Sequence, residues 1–413
     1  MDTRTEAKVF LSKHNFSTDI ADNLHKDILQ DMYKGLTSGN ADQAMIKAGK
    51  TVNRTINEGE NVIVIDAGGT NFRSCLVTKT QNGIEISEFE KTSMPAIERK
   101  LSKKEFYSAI ANNISRLKDC SDKISFCFSY AMEITENGDG KILRFSKEIK
   151  AEEAVGTYIG KELLAELKNQ GWAKIKKINV LNDTTALLLS SYVSENKNWG
   201  KHIAFILGTG MNSAYIKKEH IIVTECGMYS ALPQSDFDLI VCGRTRQPDK
   251  SILEKMCSGA YLGEIAFEML IKASFEGLFS ESFASEIKEL DGLTTADFDS
   301  LFIEGKSSCL SEIIKQGSEK DIQLLKELIT AIISRSANLT AEAIYSAIIA
   351  SDYQDKEKEE LPVCITCNGS TFWKTPLLKE KVENRLKTLL PTDFEIIKIE
   401  DDITKGSFAA AFI

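Results

Sequence analysis

The stretch NVIVIDAGGTNFR, residues 61–73, is an apolar run that ends in a carboxylate and two adjacent glycines. Its first half, NVIVID, predicts a buried β-strand. Adjacent glycines let backbone N–H groups approach phosphate oxygens without interference from a Cβ atom, and Thr70 adds a hydroxyl donor. Asp66 at the strand end is well placed to hold a hydrated magnesium ion, which prefers carboxylate and water ligands. Because the spacing of a P-loop does not occur here, we predict another kind of phosphate-binding turn, with a glycine hairpin that binds no ligand as the alternative.

A second copy of this pattern begins at Ile203. HIAFILGTG, residues 202–210, is an apolar strand that ends in Gly-Thr-Gly, and two further strands, SAYIKK and IIVTE, follow it. Strand, glycine turn, strand and strand therefore occur twice. Two joined copies of one αβ unit predict an α/β fold with two lobes and a cleft between them. Gly208-Thr209-Gly210 alone is as typical of a plain tight turn, but matching turns on two lobes would grip a triphosphate from both sides.

The rest of the chain alternates between short strands and helices, and its last part is mostly helical. Apolar spacing favours helices within residues 1–50, at 103–117, at 157–167, from 184 onward and at 321–349. Further strands are predicted at 124–129, 178–181 and 363–366, with a hairpin turn at 81–83 and a loop at 137–140. We expect the alternating charges at 355–360 to form a solvated loop, and a short apolar helix to follow Lys405-Gly406.

Composition and charge limit the classes of function. The 413 residues are 42% hydrophobic and 27% charged, which is typical of a globular protein with room for two domains. A net charge of -9 argues against a nucleic-acid partner. The first residues lack the features of a signal peptide, and we expect no membrane span. The nine cysteines favour buried free thiols in a reducing cytoplasm, and the CxxC of Cys364 and Cys367 is more typical of an apolar strand than of a metal or redox site.

Asn182-Asp183-Thr184 places polar residues at the end of a predicted strand, where such residues are otherwise costly. A carboxylate at this position is a candidate general base for a hydroxyl proton. Helix N-capping is the alternative, because Asn and Asp side chains also accept hydrogen bonds from the first turn of a helix.

Five segments together resemble the hexokinase family in order and spacing: DAGGTNFR, NDT, GTGMN, LEKMCSGAYLGEI and SRSANL. The resemblance extends from about residue 20 to the end of the chain, and LEKMCSGAYLGEI is its most specific part. It implies a two-lobed actin-like (ribonuclease H-like) kinase fold built from duplicated βββαβα units. Residues 58–180 with a C-terminal helix at 398–413 would form the small lobe, and residues 1–57 and 181–397 the large lobe.

The resemblance also implies roles for individual residues. Asp183 corresponds to the base that accepts the proton of the sugar 6-hydroxyl, and Lys147 to a residue that contacts sugar and stabilises charge. The other sugar contacts that the resemblance implies are Ser129, Ser146, Asn182, Asn212, Glu225 and Glu254. For ATP it implies Asp66, Gly68, Gly69, Thr70, Asn71, Arg73, Thr209, Gly210, Ser336, Gly369 and Ser370.

Four positions depart from the family pattern. Ala131 stands where the family usually has proline, Phe145 and Cys226 each replace a tryptophan, and Ser146 replaces a threonine. None of these changes removes a charged or amide group from the site. We therefore expect activity to persist, while the packing of the pocket and the range of accepted sugars stay open.

The activity that the resemblance implies is transfer of the γ-phosphoryl of ATP to the 6-hydroxyl of a hexose such as glucose, with Mg²⁺, as the entry step of glycolysis. Carboxylates and amides suit a ligand with four or five hydroxyls, and phosphoryl transfer needs positioning and charge neutralisation. The alternatives are a kinase of an N-acetylhexosamine or fructose, a nucleotide-dependent chaperone or filament, and a non-catalytic sugar sensor. We expect a cytoplasmic monomer or homodimer with no membrane partner.

Overall fold

The computed structural model describes residues 2–21, 23–51, 55–135, 137–145, 148–193, 198–352 and 360–413. The strands of these residues are β1 (Ile46–Lys50), β2 (Asn61–Gly68), β3 (Asn71–Thr80), β4 (Gly83–Ser93), β5 (Lys123–Phe128), β6 (Ala131–Ile134), β7 (Gly140–Arg144), β8 (Lys177–Leu181), β9 (Lys201–Leu207), β10 (Met211–Lys217), β11 (His220–Val223), β12 (Val363–Asn368) and β13 (Phe394–Ile397).

The helices follow in the same way. They are α1 (Thr3–Lys13), α2 (Leu24–Thr37), α3 (Lys103–Asn113), α4 (Ile159–Asn169), α5 (Asp183–Ser190), α6 (Asp236–Gly243), α7 (Ile252–Cys257), α8 (Leu262–Phe275), α9 (Glu281–Lys288), α10 (Asp299–Phe302), α11 (Cys309–Ile314), α12 (Glu319–Ala350), α13 (Ser370–Lys374), α14 (Leu378–Leu389) and α15 (Asp402–Ala410). Within this set, no helix combines the length and apolar character that a bilayer crossing requires.

The first main sheet has the strand order β4-β3-β2-β5-β8. β2, β3 and β4 are antiparallel neighbours, whereas β2, β5 and β8 run parallel. Ile63 and Ile65 of β2 are buried in the same apolar cluster as residues of α3 and α4, while Val62 and Val64 pack with Phe408 of α15. Because both faces are covered, β2 reads as a continuous apolar run rather than an alternating one.

The second main sheet has the order β1-β11-β10-β9-β12-β13. Again a central strand, β9, is followed by two antiparallel strands and has parallel neighbours, β12 and β13, on its other side. Without β1, the order matches that of the first sheet strand for strand. The duplication predicted from the two strand–glycine patterns is therefore confirmed, and with it the two-lobed α/β fold class.

The helix pair α5 and α15 packs between the two sheets. One apolar cluster contains Cys127 of β5, Leu187 of α5, Ala204 of β9 and Ala409 of α15. The two helices approach so closely that a Cβ atom on Gly406 would lie 1.7 Å from the carbonyl oxygen of Ala186. Only glycine permits this distance, so α15 contains Gly406 in its middle. The expectation of a helix that starts after Lys405-Gly406 is wrong, because α15 begins at Asp402.

Other elements differ from expectation where pairing depends on distant residues. Residues 1–50, predicted as helical, include β1, which pairs with β11. β6 and β7 form a separate hairpin around the predicted loop at 137–140, and β13 was not predicted at all. Most of the predicted loop at 355–360 lies outside the described residues. The boundaries of the two lobes stay a prediction, although α15 does contact β2 and β5, as the small-lobe assignment of 398–413 requires.

Candidate active site

The first glycine turn lies where β2 passes into β3. Gly69 has a φ of +58°, and the exposed hydroxyl of Thr70 sits at the tip of the turn. Behind the turn, Arg73 Nη1 donates to Asp66 Oδ2 at 2.7 Å across the two paired strands. Asn71 is partly buried at the start of β3. The turn therefore presents an exposed glycine and an exposed hydroxyl, and Arg73 holds the Asp66 carboxylate beneath them.

Ser129 and its aromatic neighbours flank this turn. A Cβ atom on Gly68 would lie 3.0 Å from Ser129 Cβ, which places the serine directly beside the glycine. Tyr130 donates its hydroxyl to the Gly69 carbonyl at 2.8 Å. Phe145, one of the departures from the family pattern, stacks edge-on against Tyr130 with ring centroids 5.5 Å apart. An aromatic ring other than tryptophan thus braces the segment that carries Ser129.

Two further glycine turns meet at the end of the second sheet. Gly208 follows β9, and its carbonyl accepts from Gly259 N and from Thr371 Oγ1, each at 2.8 Å. Gly369 follows β12 with a φ of +113°, and a Cβ atom there would lie 2.1 Å from the Leu207 carbonyl oxygen. Glycine is required by both the conformation and this close approach. The hydroxyls of Thr209 and Ser370 are exposed at the tips of the two turns, and Gly210 leads into β10.

Asn182 and Asp183 stand at the junction of β8 and α5. Asn182 is the N-cap, since its Oδ1 accepts from Thr185 N at 2.9 Å. Asp183 Oδ1 accepts from Thr184 N at 2.7 Å and from Thr184 Oγ1 at 3.2 Å. The capping alternative therefore applies to Asn182, while Asp183 is a partly buried carboxylate whose plane is fixed by its neighbour.

A second group of polar side chains, which we call the polar wall, consists of Asn212, Glu225 and Glu254. Asn212 Nδ2 donates to Glu225 Oε1 at 2.6 Å, and Asn212 Oδ1 accepts from Glu225 N at 3.0 Å. Glu225 is held in the left-handed region at φ +53°, a conformation that is uncommon for residues other than glycine. Glu254 Oε2 accepts from Met211 N at 3.0 Å, so it lies directly behind the turn at Gly210.

The electrostatics tie these groups into one site. Burial raises the pKa of Asp183, and the negative charge of Asp66 raises it further. Burial likewise raises the pKa of Glu225, with added contributions from the charges of Asp183 and Glu254. The contacts agree with this, because α5, which begins at Asp183, packs against β10, whose residues Met211 and Asn212 bond to Glu254 and Glu225. Carboxylates from both halves of the chain therefore lie near one another. A carboxylate with a raised pKa is a stronger base, which suits Asp183 to proton abstraction.

Two sequence profiles of known protein families match the chain, over residues 6–193 and residues 202–413, and both describe hexokinase. The second profile alone covers more than half of the chain. The chain belongs to the hexokinase family. The family named from five short motifs is thus confirmed over nearly the whole sequence.

Known hexokinases give the scale of this relationship. Human hexokinase-2 is 24% identical over 93% of this chain, which spans 45% of the human protein's length. Hexokinase-1 of Schizosaccharomyces pombe is 23% identical over 90% of this chain and 82% of its own. The solved structure of a hexokinase from Schistosoma mansoni in complex with glucose superposes with a TM-score of 0.75 at 21% identity and covers all of both chains. At that identity, the structural likeness concerns the fold.

Ser336, one of the ATP contacts that the resemblance implies, does not present its hydroxyl to solvent. It is fully buried on α12, and its hydroxyl donates to the Cys257 carbonyl at 3.1 Å. A hydroxyl enclosed between α12 and the end of α7 has no surface for a nucleotide, so we correct that assignment. Ser146 and Lys147 lie outside the described residues, and their roles stay predictions.

One carboxylate near the cleft was missed by sequence reasoning. Asp402 is only 8% exposed and accepts a hydrogen bond from Asn368 Nδ2. Burial raises its pKa, and the charges of Asp401 and Asp66 raise it further. No motif marked this residue, because its position depends on how α15 packs. The nine cysteines are all free thiols, and Cys364 and Cys367 lie buried in β12, as expected of an apolar strand.

Proposed function

We propose that this protein transfers the γ-phosphoryl of ATP to the 6-hydroxyl of a hexose such as glucose. The observation that carries the proposal is that α5, which begins at Asp183, packs against β10, whose first residues bond to Glu254 and Glu225, while glycine turns follow β2, β9 and β12. Membership of the hexokinase family supports the same reaction. A binding module that only held a nucleotide would have no need for three partly buried carboxylates beside the turns.

In this proposal the polar wall binds and orients the sugar. Glu225, Glu254, Asn182 and Asn212 offer fixed acceptors and donors to the sugar hydroxyls, so the 6-hydroxyl points toward Asp183. Asp183 accepts the hydroxyl proton as the oxygen attacks the γ-phosphorus, and ADP leaves. The Thr184 bonds to Asp183 Oδ1 support this role, because they hold the base in one orientation before the sugar arrives.

The glycine turns would receive the phosphates. Backbone N–H groups of the turns at Gly68-Gly69, Gly208-Thr209 and Gly369-Ser370 can approach phosphate oxygens closely, and Thr70, Thr209 and Ser370 add exposed hydroxyl donors. Closing the cleft would exclude water, which otherwise competes with the sugar as phosphoryl acceptor.

A magnesium ion would accompany the nucleotide. The described residues contain no group of three or more metal-ligating side chains able to hold a cation unaided. This fits Mg²⁺ bound mainly by phosphates and water, for which one or two carboxylates suffice. Asp66 fits that role, since its side chain is 16% exposed below the first turn. When bound, the ion would neutralise charge on the phosphates.

Activity with a panel of sugars tests the proposal. Purified protein with ATP and Mg²⁺ should release ADP in the presence of glucose, and more slowly or not at all with fructose, N-acetylglucosamine or water alone. If N-acetylglucosamine or fructose were turned over faster than glucose, the protein would instead be a kinase of that sugar. Glucose binding without turnover would identify a sugar sensor. The buried free thiols favour assays under reducing conditions and a cytoplasmic location.

A further inference from the structure

Asn368 is the last residue of β12 and directly precedes the third glycine turn. The next residue, Gly369, lies against Leu207 and Gly208 of the second turn, with the Gly208 Cβ position 3.7 Å from Gly369 Cα. Thr371 Oγ1 closes the same contact by donating to the Gly208 carbonyl. Asn368 therefore directly precedes the point where the two turns that follow β9 and β12 contact each other.

Asp402 is the first residue of α15, which packs on the other sheet through β2 and β5. Its Oδ1 accepts from Ile403 N at 2.7 Å, and its Oδ2 accepts from Asn368 Nδ2. The carboxylate is close enough to Asp66 for the two charges to influence each other. Asp402 thus lies between β2, which leads into the Gly68-Gly69 turn, and β12, which leads into the Gly369-Ser370 turn.

We infer that Asp402 is a positioning residue for the nucleotide, which holds the Gly369-Ser370 turn in register with the Asp66-Gly68 strand through its bond to Asn368. The inference rests on the proposed function for the identity of the ligand. It adds a residue that no motif marked and that does not itself reach the cleft as a phosphate contact. This hydrogen bond joins a side chain of β12 directly to a side chain of α15.

The chemistry of the pair makes the role testable by exchange. Asp402 only accepts, and it uses one oxygen for the helix N-terminus and the other for the amide of Asn368. Asn at 402 keeps one side-chain oxygen, so it cannot serve both donors in the same way. Asp at 368 would set two carboxylates face to face. Exchanging both residues restores one donor opposite one acceptor, with the bond reversed.

The experiment measures the Kd of a non-hydrolysable ATP analogue with Mg²⁺ by calorimetry, alongside the Kd of glucose. Asp402→Asn and Asn368→Asp should each weaken nucleotide binding by about tenfold, the usual worth of a buried hydrogen bond to a charged group. The double variant Asn368→Asp with Asp402→Asn should return to within about threefold of the wild type. Glucose binding should change less than twofold throughout, because the sugar wall lies on other elements.

A matched control removes the neighbouring charge only. Asp401 is exposed and left-handed, a conformation that Asn tolerates, so Asp401→Asn should leave the Kd of the nucleotide unchanged. Unchanged nucleotide binding in both single variants would overturn the inference, and so would a double variant no tighter than the singles. Melting curves identify any single variant that does not fold. In that case the double variant decides, because it should restore the hydrogen bond. Nucleotide binding needs no turnover, so a wild type that binds the analogue but phosphorylates no sugar would reject only the proposed function.

Discussion

Asp183→Asn should separate chemistry from binding. Both Thr184 bonds end on Asp183 Oδ1, and the amide oxygen of Asn can accept both, so the side chain should keep its place at the start of α5. The variant loses the proton acceptor alone. General base catalysis is usually worth about 10²–10⁴ in rate, so kcat should fall by that factor, or about 3–5 kcal/mol in activation free energy. The Kd of glucose should change little.

The same variant should not destabilise the protein. Because burial and the charge of Asp66 raise the pKa of Asp183, the folded protein holds this proton to higher pH than the unfolded chain does. The contribution to stability is therefore lost as the pH rises through the folded-state pKa, and at neutral pH the ionised group opposes folding. Asn removes that cost, so the Tm of Asp183→Asn at pH 7 should equal or exceed that of the wild type.

The assay is ADP release at saturating ATP and glucose over a pH series, with melting curves on the same samples. Wild-type kcat/KM should fall as the pH drops through a value above the ordinary pKa of an aspartate. Asp119→Asn is the control. The exposed carboxylate of Asp119 accepts hydrogen bonds from Ala173 N and Lys174 N, in the segment between α4 and β8, so its replacement should leave kcat unchanged. If Asp183→Asn retained more than a tenth of wild-type kcat, Asp183 would not be the base.

Three further outcomes follow from packing and from the polar wall. Gly406→Ala should cost about 1–3 kcal/mol or more of unfolding free energy, because its Cβ overlaps the Ala186 carbonyl, whereas Gly243→Ala, with open space at its Cβ, should stay within about 1 kcal/mol of wild type. Asp238→Ala should cost about 3–5 kcal/mol in urea unfolding, since it leaves the buried Arg335 guanidinium without its two bonds of 2.6 and 2.7 Å. Galactose should show a kcat/KM up to about 10⁴–10⁵ below that of glucose, because an axial 4-hydroxyl leaves buried polar groups unpaired, while mannose should be tolerated better. A kcat/KM for galactose within tenfold of that for glucose would contradict the proposed placement of the side chains that contact the sugar hydroxyls.

The local parts of the fold were readable from the sequence for a physical reason. β2 and β9 are covered on both faces, so each appears as a continuous apolar run, and each ends in glycines that permit a turn without a Cβ clash. The helix that begins at Asp183 follows an Asn that caps it. These signals lie within a few residues of the structure they specify, and their repetition was enough to indicate two matching units.

The sequence by itself determined the duplicated αβ pattern, the hexokinase motifs and the candidate base, because each depends on neighbours along the chain. Only the tertiary structure decided what depends on distant partners. Asp402 meets Asn368 because α15 returns to the first sheet, and Ser336 is buried because α12 packs against α7. Position 406 of α15 must be glycine because a Cβ atom there would lie 1.7 Å from the Ala186 carbonyl oxygen of α5. Contacts between residues far apart in sequence leave no local pattern, so they emerge only when the chain is folded.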